Sequence, residues 1–230
     1  MKFPAAHPAV IGSVTTRAGL RLLARTELPA DAVEVRVDAL LKAGVSATQI
    51  ETALEARQHP VLLTLRIPAE GGHWPWKLAE RRALYLRLLP HAEAIDVELA
   101  TAVAMRPVLV AARGAVKTIV LSAHALKKAA APPQFSRWLK QHERDAHTIL
   151  KIAGHIASWR DLQRLAALLV NYPERQIAVM GLGPHAPQSR SVLAALGSRL
   201  VYGWLDKPAA PGQPSAAEVR KMVAALPPKE

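Results

Sequence analysis

A lysine stands in the middle of an apolar run, Ile149-Leu150-Lys151-Ile152-Ala153, where a solvated surface lysine does not belong. Desolvation at such a position favours the neutral amine, the form that attacks a ketone or aldehyde to give a Schiff base. A second apolar run, Thr118–Leu121, leads into Ser122 and His124. An imidazole paired with a nucleophilic lysine is a plausible proton shuttle, whereas a lone core histidine is as often only hydrogen-bonded structure. The other eight histidines, among them His59, His73, His142 and His155, have no comparable setting and are assigned nothing. There is no cysteine, and no His or carboxylate spacing is diagnostic of zinc, so neither a metal nor a cofactor is expected.

The charges elsewhere follow strand parity. Alternate side chains of a strand point to opposite faces. In Val33-Glu34-Val35-Arg36-Val37-Asp38 the valines take one face and the charges the other. Thr64 and Arg66 share a face, as do Asp96 and Glu98, Ser122 and His124, and Lys151 with Ile149 and Ala153. Isolated buried charges cost several kcal/mol unless paired or hydrated. Polar groups on several strands therefore imply either one catalytic pocket or an interior salt-bridge network. Asp38 and Asp96 read as structural, and Lys151 as functional.

The elements that would position these groups are short apolar strands alternating with helices. The strands are expected at Ala9–Val14, Ala32–Val37, Val61–Arg66, Ala94–Glu98, Lys117–Ser122, Thr148–Ile152, Gln176–Met180 and Leu200–Gly203. Helices are expected at Ala47–Arg57, Trp76–Leu89, Trp159–Asn171 and Ser215–Ala225, the last opened by a Ser215/Glu218 capping box. Arg17–Leu28 leaves little room for a first helix. Eight strand–helix repeats in 230 residues predict a single-domain α/β fold, a (β/α)₈ TIM barrel spanning residues 1–230. A doubly wound open sheet is the alternative. In a barrel the charged faces must turn inward, toward the C-terminal strand ends where barrel active sites lie.

Composition narrows the partners. Hydrophobic residues make up 50% of the chain, which excludes a disordered protein. No apolar run approaches the roughly 20 residues that cross a bilayer. Met1–Val14 lacks the pattern of a secretory signal, so a soluble cytoplasmic protein is expected. The formal charge of +12 raises the possibility of a nucleic-acid partner. The basic residues are spread along the chain, however, and three Tyr and two Phe offer little for stacking bases. A cationic cleft that concentrates an anionic small molecule fits better, with no nucleic acid and no membrane.

These residues resemble the type I 3-dehydroquinate dehydratases over nearly the whole chain. Glu34-Val-Arg36-Val-Asp38 is similar to the family's E-x-R-x-D strand, and Thr64-Leu-Arg66 with Glu70-Gly71-Gly72 to its T-x-R…E-G-G loop. Ile95–Leu99 resembles I-D-x-E-L, Ser122-Ala-His124 resembles S-x-H, and Lys151-Ile-Ala153 resembles K-I-A. Ser189-Arg190 matches the S-R pair, and Ala210-Pro-Gly-Gln213 the A-P-G-Q loop. The resemblance implies a metal-free, cofactor-independent hydro-lyase of the shikimate pathway that acts on 3-dehydroquinate, and a homodimer. It further implies that Lys151 forms the Schiff base, His124 is general base and acid, and Glu70 orients His124. By the same resemblance Arg190 would clamp the substrate carboxylate, Glu34, Arg36 and Arg66 would bind ring hydroxyls, and Gln213 would belong to a lid.

The chain departs from the family at Ala209, where the lid usually has serine, and at Ala125-Leu126, where Asp-Phe is common. The segment Gly181–Gln188 also differs, which bears on the placing of Arg190. Two other readings stay open on the residues alone. One is a barrel that keeps the Schiff-base lysine for another carbonyl substrate, and the other a silent protein that binds nucleic acid. A role in aromatic biosynthesis and one in quinate breakdown use the same step, and the sequence does not separate them.

Overall fold

In the computed structural model, residues 7–129, 137–139, 147–209 and 212–227 are described below. Eight strands form one parallel sheet in the order β7-β6-β5-β4-β3-β2-β1-β8. They are β1 (Ala9–Val14), β2 (Ala32–Arg36), β3 (Val61–Thr64), β4 (Ala94–Glu98), β5 (Thr118–Ala129), β6 (Thr148–His155), β7 (Ile177–Leu182) and β8 (Leu200–Trp204). First and last strands meet, because β1 pairs with β8 from Ala9/Leu200 to Ser13/Trp204. The sheet thus curls into a nearly closed barrel, and the open-sheet alternative is set aside.

Helices cover the outside. They are α1 (Arg17–Leu20), α2 (Val37–Lys42), α3 (Ala47–Glu55), α4 (Leu78–Leu88), α5 (Arg106–Gly114), α6 (Trp159–Asn171), α7 (Ala186–Ala195) and α8 (Ala216–Ala224). Three begin with reciprocal capping boxes, Ser46/Gln49, Ser158/Asp161 and Ser215/Glu218, each satisfying otherwise orphaned backbone N–H groups. The start of α8 lies directly against β8. A Cβ at Gly203 would come within 2.6 Å of the Ala216 backbone nitrogen, so only glycine admits that approach.

The strand parity read from the sequence holds. Val33, Val35 and Val37 face the helices in the main apolar cluster. Inside the barrel the floor is filled by Ile11, Leu62, Val120, Ile149, Leu200 and Tyr202 interleaved with Ala9, Ala32, Ala94 and Ala178. Large beside small is what a tapering interior requires. Above that floor the inward positions turn polar, and there the charges gather.

Several boundaries differ from expectation for local reasons. β2 stops at Arg36, and Val37 and Asp38 open α2 instead of extending the strand. Asp38 in that first turn complements the helix dipole. β3 ends at Thr64, although Arg66 still points inward. β5 begins at Thr118, and both β5 and β6 run well past Ser122 and Ile152. α4 starts at Leu78, after a turn in which the Trp76 indole donates to the Arg66 carbonyl at 2.9 Å. As the short first segment suggests, α1 is a single turn continued by a 3₁₀ turn, Arg21–Ala24.

Among the described residues no ladder joins β7 to β8. The seam is held by Arg199, whose N–H donates to the Ile177 carbonyl at 2.8 Å, and by Ser198. The buried Ser198 hydroxyl accepts from the Val179 N–H at 2.9 Å and lies 3.1 Å from the carbonyls of Val179 and Leu200. Removing it strands a buried backbone donor, which costs about 1–3 kcal/mol. Ser198→Ala is expected to lower the unfolding free energy by that amount, read in urea as a lower midpoint with an unchanged slope, while Ser191→Ala, at an exposed bond, changes it by less than about 0.5 kcal/mol.

Candidate active site

The inward polar positions line a cavity of about 250 Å³ at the C-terminal ends of the strands. Its wall brings together Glu34, Arg36, Arg66, Glu70, His124, Lys151, Arg190 and Gln213, all eight site residues expected from the sequence. Register explains the convergence. Ser122 pairs with Lys151 across β5 and β6, and Glu98 pairs with Ser122 across β4 and β5. His124 is the next inward residue above Ser122.

Lys151 is 3% exposed, but its surroundings are not the apolar ones expected from its neighbours in sequence. Its Nζ donates to Asp96 Oδ2 at 3.0 Å and lies 4.0 Å from Glu34. The face of the Tyr202 ring lies 4.2 Å away. Asp96, read from the sequence as structural, is therefore the direct partner of the lysine. Its carboxyl also accepts from Arg66 at 2.9 Å and from Ser122 at 2.5 Å. Burial opposes ionisation of Asp96, yet the charges of Arg66 and Lys151 outweigh it and hold its pKa well below the carboxylate range.

Arg66 is committed inward. Its terminal nitrogens donate to Glu98 at 3.0 Å, to Ser122 at 2.7 Å and to Asp96. Glu98 in turn accepts from Arg81, which reaches in from α4. Nothing in the sequence singled out Arg81, because a helical arginine at a period of 3.6 reads as surface. Glu34 accepts from Ser13 at 2.7 Å and from Thr64 at 2.9 Å. Ser13 shares its face with Ile11, and the parity argument extended to β1 would have found it.

His124 and Glu70 form a pair. Glu70 Oε2 lies 2.8 Å from His124 Nδ1 and also accepts the His124 backbone N–H at 3.0 Å. Burial and the nearby Arg66 and Lys151 charges press the His124 pKa well below its usual value, so the ring is neutral. Burial raises the Glu70 pKa to about 7. With Glu70 ionised, Nδ1–H donates to the carboxylate and Nε2 keeps its lone pair for the cavity side.

The loop that carries Glu70 is tied down on both sides. Gly72 accepts no Cβ, since one would lie 2.1 Å from the Arg66 carbonyl oxygen. The His73 N–H donates to Asp38 at 3.1 Å, and Asp38 holds Arg36 through two 2.9 Å bonds. Asp38 thus fixes Arg36 and the Glu70 loop together. Leu126, at the departure from the family pattern, packs 3.6 Å from where a Gly71 Cβ would lie and closes the wall beside Glu70.

Arg190 sits on α7, whose start at Ala186 absorbs the divergent segment before it, and the arginine still lines the cavity. Its Nη1 is buried and has no hydrogen-bond partner among the described residues. Burial lowers the Arg190 pKa, and a bound carboxylate would relieve that unsatisfied charge. Gln213 lines the opposite rim, its side chain accepting the Ala209 N–H at 2.7 Å. Ala210 and Pro211 of the expected lid lie outside the described residues. Among the described residues, no three His, Asp or Glu side chains gather as a metal site would require, and no helix is long and apolar enough to cross a membrane.

Comparison with known proteins agrees with this geometry. The family model described as type I 3-dehydroquinase matches residues 9–228. A 3-dehydroquinate dehydratase of Methanosarcina acetivorans is 30% identical over 210 residues, 87% of each chain. One from Methanocella arvoryzae is 30% identical over 215 residues, 93% of each. The fold is similar to that of the type I 3-dehydroquinate dehydratase of Clostridium difficile, with a TM-score of 0.81 at 19% identity over 97% of this chain and 94% of that one. The Geobacillus kaustophilus enzyme gives 0.81 at 21% identity over 96% and 92%. With its inward lysine, its His–Glu pair and this match along nearly its full length, the chain belongs to the type I 3-dehydroquinase family.

Proposed function

We propose that this protein dehydrates 3-dehydroquinate to 3-dehydroshikimate through a Schiff base on Lys151. The observation that carries the proposal is a buried lysine opening on the same small cavity as a neutral His124 held by Glu70. The neutral Lys151 amine, its proton passed to His124 Nε2, attacks the ketone carbon, and the carbonyl oxygen takes up that proton and a second one from the nitrogen. The carbonyl oxygen leaves as water, and a protonated imine remains. That imine withdraws electrons from the neighbouring carbon, whose proton His124 Nε2 removes. The electron pair enters the imine to form an enamine. Its return expels the ring hydroxyl, which takes the proton back from His124. Hydrolysis frees product and lysine.

Arg190 receives the substrate carboxylate in this reading. Glu34 and Arg36 face the ring hydroxyls, and Arg66 acts mainly through its charge, since its terminal nitrogens are occupied. Gln213 belongs to the rim that closes over the ligand. The reading carries with it a cytoplasmic homodimer without nucleic-acid or membrane partners, supported by family membership and by a cationic cavity sized for a small acid.

The nucleophile is tested by mixing protein, 3-dehydroquinate and borohydride, followed by peptide mass spectrometry. One reduced adduct on Lys151, absent in Lys151→Ala, is expected; substrate consumption without any adduct would exclude the mechanism. The pH dependence follows from Glu70. Below about 7 it is protonated and no longer fixes Nδ1–H, so kcat/KM should rise with pH through about 7. In Glu70→Gln that acid limb should vanish and the plateau fall by about 10²-fold. Ala209 lies on the cavity wall, at the lid position where the family resemblance implies serine. Ala209→Ser should lower KM by a factor of roughly 2–10 with kcat little changed, the worth of one hydrogen bond.

A further inference from the structure

Tyr202 takes no part in the chemistry derived above, yet its ring lies against the reacting nitrogen. It comes from β8, paired with Ile11 across the β1–β8 ladder, and is 7% exposed inside the barrel. Its hydroxyl is sealed from solvent and has no hydrogen-bond partner among the described residues. A floor position that only needed filling would be served by an aliphatic side chain without that penalty, as at Leu62 and Ile149. What the ring does contribute is its face, 4.2 Å from Lys151 Nζ, with both groups desolvated.

We propose that the Tyr202 ring is a catalytic residue that stabilises the positive charge of the protonated imine through a cation–π contact. The inference rests on the Schiff-base reading of Lys151 and adds the group that holds the intermediate's charge. Lys151 already has a carboxylate partner, Asp96, at 3.0 Å. A second carboxylate that close would meet the repulsion of Asp96 and be pushed toward its protonated form, losing the charge that attracts the cation. An aromatic face attracts the cation and accepts no proton. It also covers one face of the planar C=N bond, so water reaches the imine only from the cavity side. The sequence of bonds is unchanged: nitrogen attacks carbon, water departs, and the nitrogen keeps one proton and the positive charge while the ring lies against it.

The contact is weighed by a series at position 202 that preserves shape and drains the ring face of charge. The Tyr202→Phe variant is the reference, and 4-fluoro-, 3,5-difluoro- and 3,4,5-trifluorophenylalanine replace it in turn. Log kcat is expected to fall stepwise with fluorination, to roughly 30-fold below the reference, while KM and the melting temperature stay level. The borohydride-trapped fraction on Lys151 should fall in the same order. A flat kcat series with the adduct still formed on Lys151 would overturn the role of Tyr202 and leave the nucleophile standing. A reference variant that turns over substrate with no adduct would overturn both. A parallel loss of kcat and melting temperature would assign the ring to packing.

Discussion

A chain of alternating charges runs through the barrel from its helical coat to its reacting nitrogen: Arg81, Glu98, Arg66, Asp96, Lys151. Each side chain is at most 4% exposed, and each has an opposite charge beside it in the series. No member could be ionised alone at that depth without a penalty of several kcal/mol. The chain explains why β3 and β4 must keep their register, since Thr64 opposite Asp96 puts Arg66 beside Asp96 and Glu98. It also explains the placing of α4. Arg81 caps the Leu65 carbonyl on its way to Glu98, so the helix is fixed to the strand end that carries Arg66. Breaking a pair within such a network costs about 3–5 kcal/mol, more than most cavity substitutions.

From that constraint the rest of the site follows. With Asp96 anchored, Lys151 is held in place. With Arg66 anchored, the chain after β3 turns sharply at Gly71, whose positive φ of 86° suits glycine, and presents Glu70 to His124. Asp38 ties the far side of that turn to β2. Acid–base pair and nucleophile thus stand on one rigid frame, and the cationic wall toward Arg190 is left for the substrate.

Much of this was legible because the barrel enforces period-2 alternation on strands covered by helices. Glu34, Arg66, Asp96, His124 and Lys151 announced a common face because each alternates with aliphatic residues that must face outward. Legibility failed where a contact crosses between layers or depends on a side chain's reach. Arg81 lies on a helix, and helical periodicity does not reveal that its guanidinium threads back toward a strand end. The role of Asp96 was underrated because parity gives direction but not height, and one residue along a strand decides whether a carboxylate meets Lys151 or only other charges. Asp38 groups with the inward charges of β2 because Val37 continues the alternation, although the backbone has already turned into α2.

The joint between β7 and β8, which lacks a ladder among the described residues, also borders the cavity. Where β7 faces β8, side-chain and loop hydrogen bonds stand in for a continuous ladder, and the same two strands supply Met180, Leu182, Val201 and Tyr202 to the cavity wall. Amide protons along this joint should therefore exchange with solvent ahead of those in the β2–β4 sector, where paired strands and buried charges lock one another. A ligand reaching from Lys151 on β6 to Arg190 on α7, and lying against Tyr202 on β8, would act as a removable staple across the joint. Occupancy of the cavity would then register as a loss of breathing in β7 and β8 while the opposite side of the barrel stays as it was.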